Sequence, residues 1–314
     1  MNAPEVDADE GVLDPWVVEW MAANPQRAAP FETLEPEWLA LARGPVGFPP
    51  TREIAHVTDD VVGDVPIRIY HGDGEPTGVV VYIHGGGWVI GSIGLMDNVA
   101  RELAHHSGAV VVSVGYRLAP ENPYPAGLDD CEAVTRWAFA NAGSLGAPSA
   151  SVAVAGESAG GNLAAAVALR LRSISDVRLA GQGLIYPGVS GRTEFPSGEQ
   201  FDGLILSRGG KQKFWDAYSG GRDIDGEPCA VPLNADDLSG LPPALVVLAG
   251  CDLLRDEGRA YAARLRSAGV DVEEVCYSGQ PHGFINFDFP AAAPAFERIG
   301  VWLRSVLVGS AGAI

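Results

Sequence analysis

The chain has 314 residues, 47% of them hydrophobic, which suffices for one large α/β domain or two small ones with a substantial core. Its net charge of −19 disfavours nucleic acid and anionic membranes as partners, since an acidic surface repels both. The four cysteines, Cys131, Cys229, Cys251 and Cys276, form no CxxC pair and no Cys/His cluster, so neither a metal site nor a cofactor is expected from them.

The start, Met1-Asn2-Ala3-Pro4-Glu5, lacks the basic and apolar regions of a secretory leader. No apolar run approaches the ~18 residues of a membrane span. Free thiols in a reducing cytoplasm are the expectation. Residues 1–45 are rich in Asp, Glu, Pro and Ala, with isolated aromatics Trp16, Trp20, Phe31 and Trp38. The first dozen read as disordered. Trp16, Trp20 and Met21 stand at helical spacing, so one or two short amphipathic helices should follow, with an apolar stripe to bury.

Strand-like runs come next. Glu53–Val57 and Val65–Tyr70 alternate around turn residues and read as an antiparallel start. Val79–Ile83 and Ala109–Tyr116 are rich in β-branched residues, as strands buried on both faces are. Further strands are expected at Ser151–Ala155, Gly183–Tyr186, Ala244–Leu248 and Val272–Tyr277. Helices are expected at Leu95–His106, Ala126–Asn141, Asn162–Arg172, Glu257–Ala268 and Ala292–Leu307. This alternation predicts a mostly parallel sheet with helices on both faces. Between Pro187 and Pro243 the rhythm breaks for about 55 residues, with one helix-like piece, Ser207–Tyr218. A long insertion at that place reads as a lid or cap.

The chemistry is carried by Gly156-Glu157-Ser158-Ala159-Gly160. In a chain with 40 glycines the G-x-S-x-G pattern alone is weak. A preceding strand and a following helix make it a nucleophile elbow, where flanking glycines leave room for a strained turn. A serine hydroxyl needs a base. His282, in Pro281-His282-Gly283 after the last expected strand, stands where a side chain can reach the top of the sheet. Asp252, at the end of another strand, is the group to orient it. Asp256 and Glu257 are rivals that suit a helix N-terminus better. The order Ser, Asp, His is that of the α/β-hydrolases. The loop His84-Gly85-Gly86-Gly87-Trp88 reads as an oxyanion hole completed by the N–H of Ala159, with Gly86 and Gly87 as donors and Gly85 shaping the turn. His84 reads as holding that loop by a hydrogen bond. Trp88, Leu206, Phe214 and Phe284, with Tyr186, Leu204 and Trp215 behind them, are candidates to line a substrate pocket.

These motifs, together with Tyr116-Arg117-Leu118-Ala119-Pro120-Glu121 and Asp252-Leu253-Leu254-Arg255-Asp256-Glu257, resemble the bacterial hormone-sensitive-lipase-like esterases over residues 50–305. The resemblance implies an α/β-hydrolase fold: a mostly parallel eight-stranded sheet flanked by helices, with a helical cap. Residues 1–45 and 188–225 would form the cap, and 46–187 with 226–314 the catalytic domain. It implies a serine carboxylesterase with Ser158, Asp252 and His282 as nucleophile, acid and base, and a capped, aromatic-lined pocket favours short- to medium-chain esters over long ones. It needs no cofactor and no metal. A homodimer through the edge strand Val272–Tyr277 is the family's habit. A small-molecule receptor on the same fold, or an acyltransferase or amidase using the same triad, are the alternatives. Glu157 and Leu253 depart from the family's usual Asp and Pro.

Overall fold

The structure, a computed structural model, describes residues 11–30, 34–44, 49–148, 151–174, 177–191 and 195–311. Expectations for the first ten residues and for Phe31 lie outside these. The described chain begins with three short helices, α1 (Pro15–Ala23), α2 (Pro25–Ala28) and α3 (Pro36–Ala42), each with proline in its first turn. Proline suits that place because a first-turn N–H has no intrahelical acceptor to lose. Asp14 caps α1 by accepting the Trp16 N–H at 2.8 Å. The expected apolar stripe is real: Val17 is buried, and Trp16 and Trp20 pack edge-on against Phe289.

The strands are β1 (His56–Val62), β2 (Val65–His71), β3 (Val79–Ile83), β4 (Val110–Val114), β5 (Val152–Glu157), β6 (Gln182–Ile185), β7 (Ala244–Cys251) and β8 (Val272–Pro281). Among the described residues these eight form one sheet in the order β1-β2-β4-β3-β5-β6-β7-β8. β1 with β2 and β2 with β4 pair antiparallel; the other neighbours are parallel. The first strand lies three residues later than its sequence pattern suggested. Asp59 and Asp60 look like turn residues, but Asp59 stands opposite Arg68 in the register and pairs with it at 2.6 Å on the open face.

The remaining helices are α4 (Asp97–Ser107), α5 (Ala126–Asn141), α6 (Ala159–Leu171), α7 (Pro196–Gln200), α8 (Arg208–Ser219), α9 (Arg255–Ser267) and α10 (Ala292–Ala311). Because strand side chains alternate, β3 feeds both cores. Val79, Val81 and Ile83 join α5, α6 and α9 through Leu128, Leu163 and Leu265. Val80 and Tyr82 join α4 and α10 through Leu103 and Leu303. A third cluster brings Leu39 of α3 and Phe214 of α8 onto Val89, Ile90 and Leu254. It therefore sits beside the glycine loop after β3 and the segment after β7. Among the described residues no helix is long and apolar enough to cross a membrane.

Candidate active site

Parallel strands in register deliver their carboxyl ends to one edge, which is where open α/β sheets place their ligands. Ile83 aligns with Gly156, Glu157 with Ile185, and Cys251 with Pro281. The next residues along each strand are His84, Ser158, Tyr186, Asp252 and His282. β7 and β8 run three and four residues past their expected ends, so Asp252 and His282 follow their strands immediately.

Ser158 has φ 55° and ψ −119°, a strained conformation for a residue with a Cβ. The turn holds it there because the chain on either side is crushed together. A Cβ on Gly156 would lie 2.2 Å from the Gly160 carbonyl oxygen, and one on Gly160 would lie 2.0 Å from that of Ile83. Ser158 Oγ is 2.9 Å from His282 Nε2, and His282 Nδ1 is 2.8 Å from Asp252 Oδ2. Asp252 is fully buried, and its other oxygen accepts the Leu254 N–H at 2.9 Å. Since a carboxylate only accepts, Nδ1 carries the proton and Nε2 faces the serine with its lone pair. Burial by itself would push the His282 pKa down. The charge and hydrogen bond of Asp252, with Glu157 and Glu257 farther off, outweigh burial and hold it above the ordinary histidine value. Asp256 instead binds Arg255 and the Ser197 N–H, and Glu257 pairs with Lys211.

The glycine loop is fastened from three sides. His84 donates from Nδ1 to the Gly85 carbonyl at 2.7 Å, and burial pushes its pKa down to about 4, so the ring stays neutral. Tyr116 donates to the His84 carbonyl at 2.9 Å and stacks on its ring. Gly85 gives its N–H to Glu157 Oε1 at 3.2 Å. That N–H is therefore engaged, which agrees with the expectation that Gly85 shapes the turn while Gly86 and Gly87 are the donor candidates. Gly86, Gly87 and Ala159 line a cavity of about 960 Å³ together with Ser158 and His282.

Of the expected pocket residues, Trp88, Leu206 and Phe214 line this cavity. Phe284 does not. It is fully buried beneath the site, between Tyr186 and Tyr277, because the chain turns at Gly283 and sends its ring inward. Tyr186, Leu204 and Trp215 are also absent from the lining; Tyr186 is buried, its ring in edge-to-face contact with that of His282 at 5.1 Å between centroids. Lining residues the sequence reading missed include Leu41, Lys211, Ile285 and Asn286. Only Lys211 carried a signal, as one of two lysines in the chain.

A model of the alpha/beta hydrolase fold matches residues 80–286. Carboxylesterase NlhH of Mycobacterium tuberculosis is 44% identical over 249 residues, 76% of this chain and 77% of that protein. Esterase LipI of the same organism is 37% identical over 98% of this chain and 100% of its own length. The structure of a hyperthermophilic esterase from the archaeon Pyrobaculum calidifontis superposes with a TM-score of 0.84 at 35% identity, over 95% of this chain and 99% of that one. With the fold, the matched span and these relatives together, the chain belongs to the bacterial hormone-sensitive-lipase-like esterases of the α/β-hydrolase fold.

Proposed function

We propose that this chain is a serine carboxylesterase in which Ser158 is the nucleophile, His282 the general base and Asp252 its orienting partner. The observation that carries the reading is the chain of contacts at 2.9 and 2.8 Å opening into the 960 Å³ cavity. His282 Nε2 takes the Ser158 proton as Oγ attacks the ester carbonyl. The oxyanion accepts hydrogen bonds from the backbone N–H groups of Gly86, Gly87 and Ala159. The intermediate collapses, the imidazolium returns its proton to the leaving alcohol, and an acyl-enzyme remains. Water, deprotonated by the same histidine, releases the acid.

Residues 1–45 and 188–225 are assigned to a cap over the catalytic domain of 46–187 and 226–314. The apolar cluster joining Leu39 and Phe214 to Val89 and Leu254 supports this division. A cavity lined in part by such residues suits short- to medium-chain esters. Hydrolysis rising from acetyl to C12 esters, with activation at an oil interface, would refute that preference. β8 lies at the sheet edge and supports a homodimer through Val272–Tyr277; a monomer by light scattering at micromolar concentration would remove it. Cys131 and Cys251, buried as thiols, fit a reducing cytoplasm, and recovery of the protein outside the cell would oppose that location. The serine assignment is tested by labelling with a fluorophosphonate and locating the adduct by peptide mass spectrometry. The adduct is expected on Ser158; an adduct elsewhere overturns the assignment.

A further inference from the structure

Glu157 precedes the proposed nucleophile and is 1% exposed. Its carboxylate is held by four neutral donors. Oε1 accepts from the Tyr82 hydroxyl at 3.4 Å and the Gly85 N–H at 3.2 Å. Oε2 accepts from the Tyr186 hydroxyl at 3.0 Å and Asn286 Nδ2 at 2.9 Å. A buried carboxylate is costly, and an apolar side chain would fill the same space more cheaply if packing were its only task.

The donors come from the segments that build the site. Gly85 leads into Gly86 and Gly87. Tyr186 follows β6 and its ring meets that of His282 edge to face. Asn286 lies four residues beyond His282 and lines the cavity. A Cβ on Gly85 would lie 3.1 Å from the Glu157 carboxyl carbon, so loop and carboxylate are in direct contact. Asn286 turns its NH₂ to Glu157 while its Oδ1 has no partner among the described residues, so the carboxylate decides which way that amide points.

We propose that Glu157 is a positioning residue for catalysis: its carboxylate fixes the oxyanion loop and the histidine-bearing loop to the elbow, so that the Gly86 and Gly87 N–H groups converge on the carbonyl that Ser158 attacks. The proposal rests on the serine esterase reading above. It assigns Glu157 no contact with substrate and no proton transfer.

The variants Glu157→Ala and Glu157→Gln are compared with wild type on p-nitrophenyl butyrate, with kcat expressed per fluorophosphonate-titrated site. Alanine removes every tether, and kcat should fall about 10²-fold, the effect of losing one oxyanion donor, while KM stays within about twofold. Glutamine keeps an acceptor for Gly85, and its NH₂ can meet Asn286 Oδ1 once that amide turns over. It should hold kcat within about tenfold of wild type. It also removes a negative charge from the surroundings of His282, which Asp252 faces from just after β7, Glu257 from α9 and Tyr186 from just after β6. The acid limb of kcat/KM should therefore move to lower pH in Glu157→Gln. The proposal is overturned if kcat per titrated site in Glu157→Ala equals that of wild type, or if KM carries the loss. Should the alanine variant not fold, the double variant Tyr186→Phe/Asn286→Ala, which strips both donors from Oε2, takes its place, and a kcat per titrated site equal to that of wild type overturns the proposal. Ser158→Ala runs alongside. Turnover surviving in that variant defeats the serine reading itself, whereas loss there with normal Glu157 variants defeats only the role of Glu157.

Discussion

Gly87→Ala is the substitution that sets the glycine loop after β3 against Phe214 of α8. Gly87 has φ +58°, and a Cβ built there would lie 2.5 Å from Cγ and Cδ2 of Phe214 and 3.0 Å from its Cβ. Carbon atoms in contact sit about 3.5–4.0 Å apart, so loop and ring must separate by about 1 Å or more. The left-handed conformation costs an alanine about 1–2 kcal/mol in addition. Phe214 belongs to a packed cluster with Leu39, Val89 and Leu254, so part of the displacement falls on the loop. Misplacing an oxyanion donor by about 1 Å costs about 10²-fold in rate, or ~2.7 kcal/mol of transition-state stabilisation. The assay is kcat on p-nitrophenyl butyrate for Gly87→Ala, Phe214→Ala and the double variant. Removing the ring relieves the contact, so the double variant should recover at least about tenfold over Gly87→Ala. Wild-type kcat in Gly87→Ala, or no recovery in the double variant, would refute this reasoning.

Asp252→Asn should lower kcat by about 10⁴-fold with the fold intact. The Leu254 N–H can only donate, so the asparagine must turn its oxygen there and its NH₂ to His282 Nδ1, which leaves the imidazole proton on Nε2, facing the serine. Steady-state kinetics within tenfold of wild type would contradict this. The base must be neutral to act, and His282 is held above the ordinary histidine value. Activity should accordingly be present at high pH and fall as pH drops through that raised value; a kcat/KM acid limb centred below about 6.5 is the opposing result. Lys211→Met leaves Glu257 buried without its ion-pair partner, both side chains being under a tenth exposed, and should cost about 3–5 kcal/mol in urea unfolding. Lys211→Met combined with Glu257→Leu should regain most of that loss. A loss below about 1 kcal/mol for the single variant would show that the pair contributes little.

Much of this architecture was readable from residue order because it depends on local pattern. Val79–Ile83 and Ala126–Asn141 coincide with β3 and α5: one is an unbroken β-branched and aromatic run, the other a periodic run after a proline. The elbow and the glycine loop were legible because close backbone approach leaves glycine as the residue that fits. Strand ends were not. Gly250, Ser278 and Gly279 look like turn residues, yet β7 and β8 continue through a register shift between Ala249 and Cys251. The start of α6 was hidden by Gly160 and Gly161, which lie inside the helix because the elbow needs them small. Phe284 lies two residues from His282 in sequence and still points away from the cavity, since side-chain direction after a turn is set by tertiary packing. The contacts of Glu157 join residues 29 to 129 positions away, a separation that no local window spans.

The central claim is most directly tested by hydrolysis of p-nitrophenyl acetate, butyrate, octanoate and laurate by wild type and Ser158→Ala. Wild type should turn over the shorter esters best, and Ser158→Ala should lose about 10⁵-fold or more in kcat while keeping its fold by circular dichroism. Turnover by Ser158→Ala within tenfold of wild type, or a wild type inactive on all four esters, would contradict the account.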